Sequence, residues 1–210
     1  MKYTNDTKNL IFYKCIELFS EYSFELVSIS DIAKAIGKTK SSIYNHFSSK
    51  QEILDEIYDF FCEHFTDNRN TIEEIEPIIQ NGSIMDIIHS VFFSFGDLES
   101  VLLPILRIVH QRKYHDETAR LIVQNILLAD GVKYAEDVFN RAVETGRLAP
   151  FDTHCLAVLC NNSRHYIYEK WILNPTNEYY MTLSEEEDLM FSYVNRLITD
   201  LNPPEPGAAS

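Results

Sequence analysis

The sequence predicts an all-α protein. Apolar residues recur at helical spacing along most of the 210 residues, and no convincing run alternates as a half-buried strand does. Glycine is scarce at 6, and three of the 7 prolines fall in the terminal PPEP. A hydrophobic share of 45% is ample for a packed core, and the length suits one large domain or two small ones.

The first helix is expected over about Thr7 to Tyr22, with Ile11, Cys15, Ile16, Leu18 and Phe19 as its apolar stripe. Ser28 with Asp31 three residues on forms a capping-box arrangement that opens a second helix. Gly37 closes that helix at the position where a left-handed backbone costs glycine little. Thr39 caps a third, short helix that ends near His46. Ser49 with Glu52 then opens a long one through Phe65. Further helices are expected at about 83–95, 97–115, 117–145 (broken near Asp130–Gly131), 152–173 and 184–201, with Ser184 and Glu187 repeating the capping signature. The closing NPPEPGAAS cannot continue a helix.

The net charge of −14 is unevenly spread. Residues 1–60 hold 7 lysines and 9 acids, and Lys34 to Lys50 holds four lysines and His46 with no acid. Screening limits charge effects to about 8–10 Å, so a basic face on an acidic body remains compatible with phosphate binding. The four cysteines form no C-x-x-C pair and read as separate buried thiols of a reducing, cytoplasmic compartment. No stretch approaches the ~20 apolar residues of a membrane span, and MKYTNDTKNL lacks a secretory h-region. The seven histidines make no H-x-x-x-H or H-E-x-x-H pattern, so no metal or cofactor is expected. With no phosphate loop, nucleophile elbow or paired carboxylates, enzymatic activity is not expected either.

Two short helices joined by a glycine-containing turn make a helix-turn-helix, whose second helix can enter a DNA major groove. In KTKSSIYNHF, Ile43 and Phe47 lie within ~40° of each other and define the inner side. Ile29, Ile32 and Ile36, with small Ala33, offer the surface that receives them. Ser41 and Asn45 point most nearly outward, flanked by Ser42 and Tyr44. Asn45 can pair with adenine, Ser41 or Ser42 with either class of base edge, and Lys40 with guanine or a phosphate. Thr39, Tyr44, His46 and Lys50 flank the helix for backbone contacts, and free amides at Ser28 and Ser49 add phosphate sites. Taken alone, the pattern also fits the solvated face of an ordinary short helix.

From Ile11 to Leu54 the chain resembles the DNA-binding domain of the TetR family of bacterial transcriptional regulators. The matching pieces are IFYKCIELF, FELVSISDIAKAIG and KSSIYNHFSSKQEIL, about a fifth of the chain. The resemblance implies that Ser28, Thr39, Tyr44, His46 and Lys50 hold phosphates while Lys40, Ser41, Ser42 and Asn45 face bases. Two positions depart from the family's pattern: Ser23 stands where glycine usually follows the first helix, and Ser41 replaces a glycine early in the recognition helix.

The resemblance further implies a helix-turn-helix domain at residues 1–50 and an effector-binding and dimerisation domain at 51–202, while the tail at 203–210, unable to continue a helix, is expected to be disordered. Family members typically pair as homodimers through their last two helices, which makes Leu156, Leu159, Ser163, Ile167, Leu189, Tyr193, Leu197 and Leu201 candidate facing positions. The expected role is a ligand-responsive repressor that binds a palindromic operator as a homodimer and is released by a small-molecule effector. The alternative is a TetR-like co-activator or adaptor acting mainly through protein–protein contacts.

Candidate effector residues are Phe65, Phe92, Phe95, Phe139, Tyr168 and Trp171, whose rings either line an apolar cavity or simply fill the core. Arg107 and His110, in a basic cluster with Arg112, Lys113 and His115, either attract an anionic effector or acidic partner or form a solvated helix end.

Overall fold

The computed structural model describes residues 7–67, 69–91, 99–173 and 183–201, and among these every regular element is helical. The elements are α1 (Thr7–Tyr22), α2 (Ile29–Ala35), α3 (Lys40–Tyr44), α4 (Lys50–Asp67), α5 (Ile72–Asn81), α6 (Ile84–Val91), α7 (Glu99–Arg112), α8 (Glu117–Leu121), a π-helical stretch (Ile122–Asp130), α9 (Gly131–Glu144), α10 (Thr153–Leu173) and α11 (Leu183–Leu201). Packing groups them into two compact units. One comprises Met1–Asn68 with Phe95–Ile126, the other Arg69–Ser94 with Leu127–Ser210. The chain passes between them at three points, the last inside the π-helical stretch. No helix among the described residues is long and apolar enough to cross a membrane.

In the first unit α1 packs on α7 and α4 through a fully buried stripe of Ile11, Cys15 and Phe19, with Phe12 and Ile16 beside them. The helix starts follow from local hydrogen bonding. Asp31 N donates to Ser28 Oγ at 3.2 Å and Ser28 N donates back to Asp31 Oδ2 at 2.9 Å, closing the expected capping box. Ser42 N donates to Thr39 Oγ1 at 3.2 Å to start α3. At α4, Glu52 N donates to Ser49 Oγ, while the Glu52 carboxylate reaches one residue further back, to the amide and hydroxyl of Ser48. Gly37 has φ 66° at the end of α2. Ser23 has φ 69°, so the serine takes up the left-handed turn that glycine would make at less cost.

The second unit contains a helix that the periodicity did not predict. Ile72–Asn81 carries Pro77 inside it, which removes one backbone donor and reads as a breaker. The helix forms because Thr71 and Glu74 close a capping box and Ile75 and Ile79 bury one face. Arg141 on α9 adds a bidentate pair to Glu76, at 2.8 and 2.7 Å. The expected long helix over 117–145 is three consecutive segments, and its middle is π-helical. The helices expected over 83–95 and 97–115 appear as Ile84–Val91 and Glu99–Arg112, the residues between them lying outside the described set. Cys15 and Cys160 are buried thiols pushed up to about 12 by burial, whereas Cys62 is half-buried and Cys155 exposed.

Candidate DNA-binding surface and ligand-binding body

Helix α3 divides its side chains cleanly. Ile43 is 0% and Phe47 1% exposed, and Ile32 and Ala33 on α2, which packs against α3, are buried as well. Lys40, Ser41, Tyr44, Asn45 and His46 are all exposed, and so are Thr39 and Ser28 beside them. Asn45 stands one residue beyond the helix, still in right-handed backbone, and so continues the turn that displays it. Ser42 is half-buried, and its hydroxyl lies 3.1 Å from Thr39 Oγ1, so much of its hydrogen bonding is used in starting the helix. All nine candidate DNA residues are exposed or half-exposed, seven of them exposed and Ser42 and Lys50 half-exposed. Exposed Lys34 and Lys38 add positive charge on the preceding helix and turn.

Lys50, the ninth candidate, has a different environment. Its ammonium donates to the carbonyl oxygens of Phe24 at 2.6 Å and Val27 at 2.8 Å, and lies 4.1 Å from the centre of the Phe24 ring. It therefore fastens the start of α4 to the turn between α1 and α2. Burial pushes its pKa below the ordinary lysine value; the Glu25 charge opposes this and that of Arg112 adds to it.

The same turn is held from α7. Arg112 is buried, places its guanidinium 4.4 Å from the Phe24 ring centre, and pairs with Glu25 and with Asp116 (2.8 and 3.1 Å). Asp116 also accepts the Ala119 amide at 3.0 Å and so caps α8. Gln111 Nε2 donates to the Ser20 carbonyl at 3.2 Å. Arg112 thus acts as a tie between helices, a role hidden in the basic cluster of the sequence.

The candidate effector residues fall in both units. Phe65 is fully buried and stacks on Phe61 at 5.0 Å in the first unit. Arg107 and His110 on α7 are half-exposed, and Lys113 Nζ lies 3.3 Å from His110 Nδ1. Phe139 and Tyr168 are buried in the second unit, with the Arg164 guanidinium 5.4 Å from the Tyr168 ring centre. Phe92, Phe95 and the side chain of Trp171 lie outside the described residues.

Of the candidate pairing residues, Leu159, Leu189, Tyr193 and Leu197 are exposed, Ser163 is half-buried, and Leu156 and Ile167 are buried. The side chain of Leu201 lies outside the described residues. The other seven line an open groove of about 660 Å³ along α10 and α11, together with Tyr166, which is 71% exposed. Tyr166 and Leu173 belong to the same outer face and were missed. Their helical spacing from Leu159 was the available signal, since the three fall within about 40° on a helical wheel.

Residues 15–57 match the family described as "Bacterial regulatory proteins, tetR family". Over 121 residues the chain is 29% identical to the HTH-type transcriptional regulator AcrR of Shigella flexneri, covering 58% of this chain and 48% of that protein, so the match spans about half the length of the curated relative. Solved structures share the fold. The TetR family transcriptional regulator PfmR from Thermus thermophilus has a TM-score of 0.59 at 19% identity, over 93% of this chain and 97% of its own. A putative transcriptional regulator from Saccharomonospora viridis in complex with choline has a TM-score of 0.60 at 15% identity, over 93% and 96%. A putative TetR-family regulator from Mesorhizobium loti has a TM-score of 0.60 at 14% identity, over 90% and 95%.

Proposed function

We propose, for a chain that belongs to the TetR family of bacterial regulatory proteins, the role of a ligand-responsive repressor that binds a palindromic DNA operator as a homodimer. The observation that carries this reading is the division of α3. Ile43 and Phe47 anchor it, while Lys40, Ser41, Tyr44, Asn45 and His46 are exposed. In this reading Lys40, Ser41, Ser42 and Asn45 face base edges, while Ser28, Thr39, Tyr44 and His46 hold phosphates. Lys50 keeps one ammonium hydrogen for a phosphate and acts chiefly as a positioning residue.

The apolar groove supports pairing through α10 and α11. Leu159, Tyr166, Leu189, Tyr193 and Leu197 are costly to leave in water as one patch, and a second copy covers them. Two copies also present two recognition helices, about 34–36 Å apart or a multiple of that, to the halves of a palindrome. Release requires an effector that favours the non-binding arrangement by about 1–3 kcal/mol, a modest demand on a helical body.

The test is selection from a random DNA pool by the purified protein, followed by a salt titration of the enriched site. A palindromic motif is expected, with affinity falling by about 10³–10⁵ between 50 and 200 mM salt if 6–10 phosphates are engaged. An adaptor would enrich no motif.

A further inference from the structure

The turn between α1 and α2 is gripped from two other helices. From α4, Lys50 donates to the carbonyls of Phe24 and Val27. From α7, Arg112 pairs with Glu25, and Gln111 donates to the Ser20 carbonyl near the end of α1. The Phe24 ring is where these grips meet. Its centre lies 4.1 Å from the Lys50 ammonium, 4.4 Å from the Arg112 guanidinium and 5.2 Å, edge-on, from that of the buried Phe19 ring. Cations are attracted to the face of an aromatic ring, so each helps to fix Phe24. Ser23, at φ 69°, puts a strained residue in the same turn. A strained segment keeps its shape only while its surroundings hold it.

One member of this set is out of place beside a DNA-binding surface. The Glu25 side chain is 61% exposed and follows directly on Phe24, whose carbonyl Lys50 grips. An unpaired carboxylate there would repel the phosphates that Lys50 meets in the regulator reading. Arg112 answers that charge. Its guanidinium pairs with Glu25 and also, through Nε and Nη2, with Asp116 Oδ2 at 3.1 and 2.8 Å. Asp116 in turn accepts the Ala119 amide at 3.0 Å and starts α8. An unbroken series of contacts therefore runs from Lys50 through Phe24 and Glu25 to Arg112, Asp116 and α8, all of it within the first unit.

We propose that Arg112 is a positioning residue for DNA binding: it holds the α1–α2 turn in the shape that lets Lys50 and Ser28 meet phosphates, and so links DNA binding to the seating of α8. The proposal deepens the regulator reading and rests on it. Ser28 ends the turn as the cap of α2, and α2 carries the surface against which α3 packs. A shift of the turn is therefore felt at the recognition helix. The linkage is reciprocal. If a seated α8 favours DNA binding, bound DNA favours a seated α8 by the same factor. A change that unseats α8 then loosens the hold on DNA without touching α3.

The experiment uses the full-length protein and the operator enriched from a random DNA pool. Hydrogen exchange is followed over residues 117–121, where the Ala119 amide reports the Asp116 cap, with and without operator. In the wild-type protein the operator should slow exchange there by about fivefold or more, the lower end of typical coupling between sites. Glu25→Gln should abolish most of that slowing and weaken operator binding by about fivefold, with little change in melting temperature. The sign is diagnostic, because losing a negative charge beside a phosphate site strengthens DNA binding by electrostatics alone. Unaltered α8 exchange in the wild-type complex, or operator binding by Glu25→Gln as tight as that of wild type or tighter, overturns the proposal. Glu25 is exposed, so this test stands whether or not Arg112→Met folds. Recovery of no operator at all is a separate result, which removes the regulator reading and this proposal with it.

Discussion

Lys50 donates to the carbonyl of Phe24 at 2.6 Å and lies 4.1 Å from the centre of its ring. One residue at the start of α4 thereby secures the turn that leads into the helix-turn-helix. Lys50→Ala is expected to lower the melting temperature and to weaken binding to all DNA alike. Because its ammonium is largely used within the protein, the slope of log affinity against log salt should change by clearly less than the ~1 that loss of a pure phosphate contact produces. A full unit of slope with unchanged stability would return Lys50 to the phosphate-binding set.

Arg112 is predicted to be the more demanding member of that turn. Its pairing with Asp116 is buried on both sides, at about 10% side-chain exposure each, so Arg112→Met strands a carboxylate. Such losses run to about 3–5 kcal/mol. Glu25 is largely exposed, and Glu25→Gln should cost under about 1 kcal/mol. Chemical denaturation of the two variants measures the difference.

Ser23 adopts φ 69°, which costs an L-residue roughly 1–2 kcal/mol. Ser23→Gly should therefore stabilise the protein by about 1 kcal/mol, seen as a rise of roughly 2–4 °C in melting temperature. An unchanged or lower value would mean that the serine side chain compensates its own strain.

Much of the DNA-reading half was legible because its signals are local. Ser28 with Asp31, Gly37, Thr39 and the Ile43–Phe47 pair each act within a few residues, and each acts as its spacing implied. The anchoring role of Lys50 was not legible because its partners are backbone carbonyls 23 and 26 residues earlier, and a carbonyl has no letter in the sequence. Helix α5 was not predicted: Pro77 inside it reads as a breaker, yet Thr71 and Glu74 close the same kind of capping box that marks helix starts elsewhere. The inward polar face of α10, where Asn161 and Arg164 are buried, is periodic in the sequence, but a search for apolar stripes passes over a helix whose stripe points outward.

The Glu76–Arg141 pair makes a pH prediction. Hydrogen bonds from Arg141, then Gln80, pull the Glu76 pKa down to about 2 from the ordinary 4.5. A carboxylate depressed in the folded state contributes stability above its unfolded value and loses it as pH falls through the folded one. Stability should therefore decline between about pH 4.5 and 2, and Glu76→Gln should flatten that decline. The readout is denaturant midpoint against pH for both proteins.

The groove along α10 and α11 predicts that Tyr193→Glu or Leu197→Glu yields a folded monomer by analytical ultracentrifugation. Charge on that apolar patch cannot be covered by a second copy without desolvation. DNA affinity should fall with dimerisation, because one short helix reads few bases.

Contact between the outer side of α3 and DNA is tested most directly at Asn45. Sequences selected from one random pool by wild type and by Asn45→Ala should share a palindromic frame and differ at a symmetric pair of positions. No enriched motif for wild type, or identical motifs for both proteins, would contradict it.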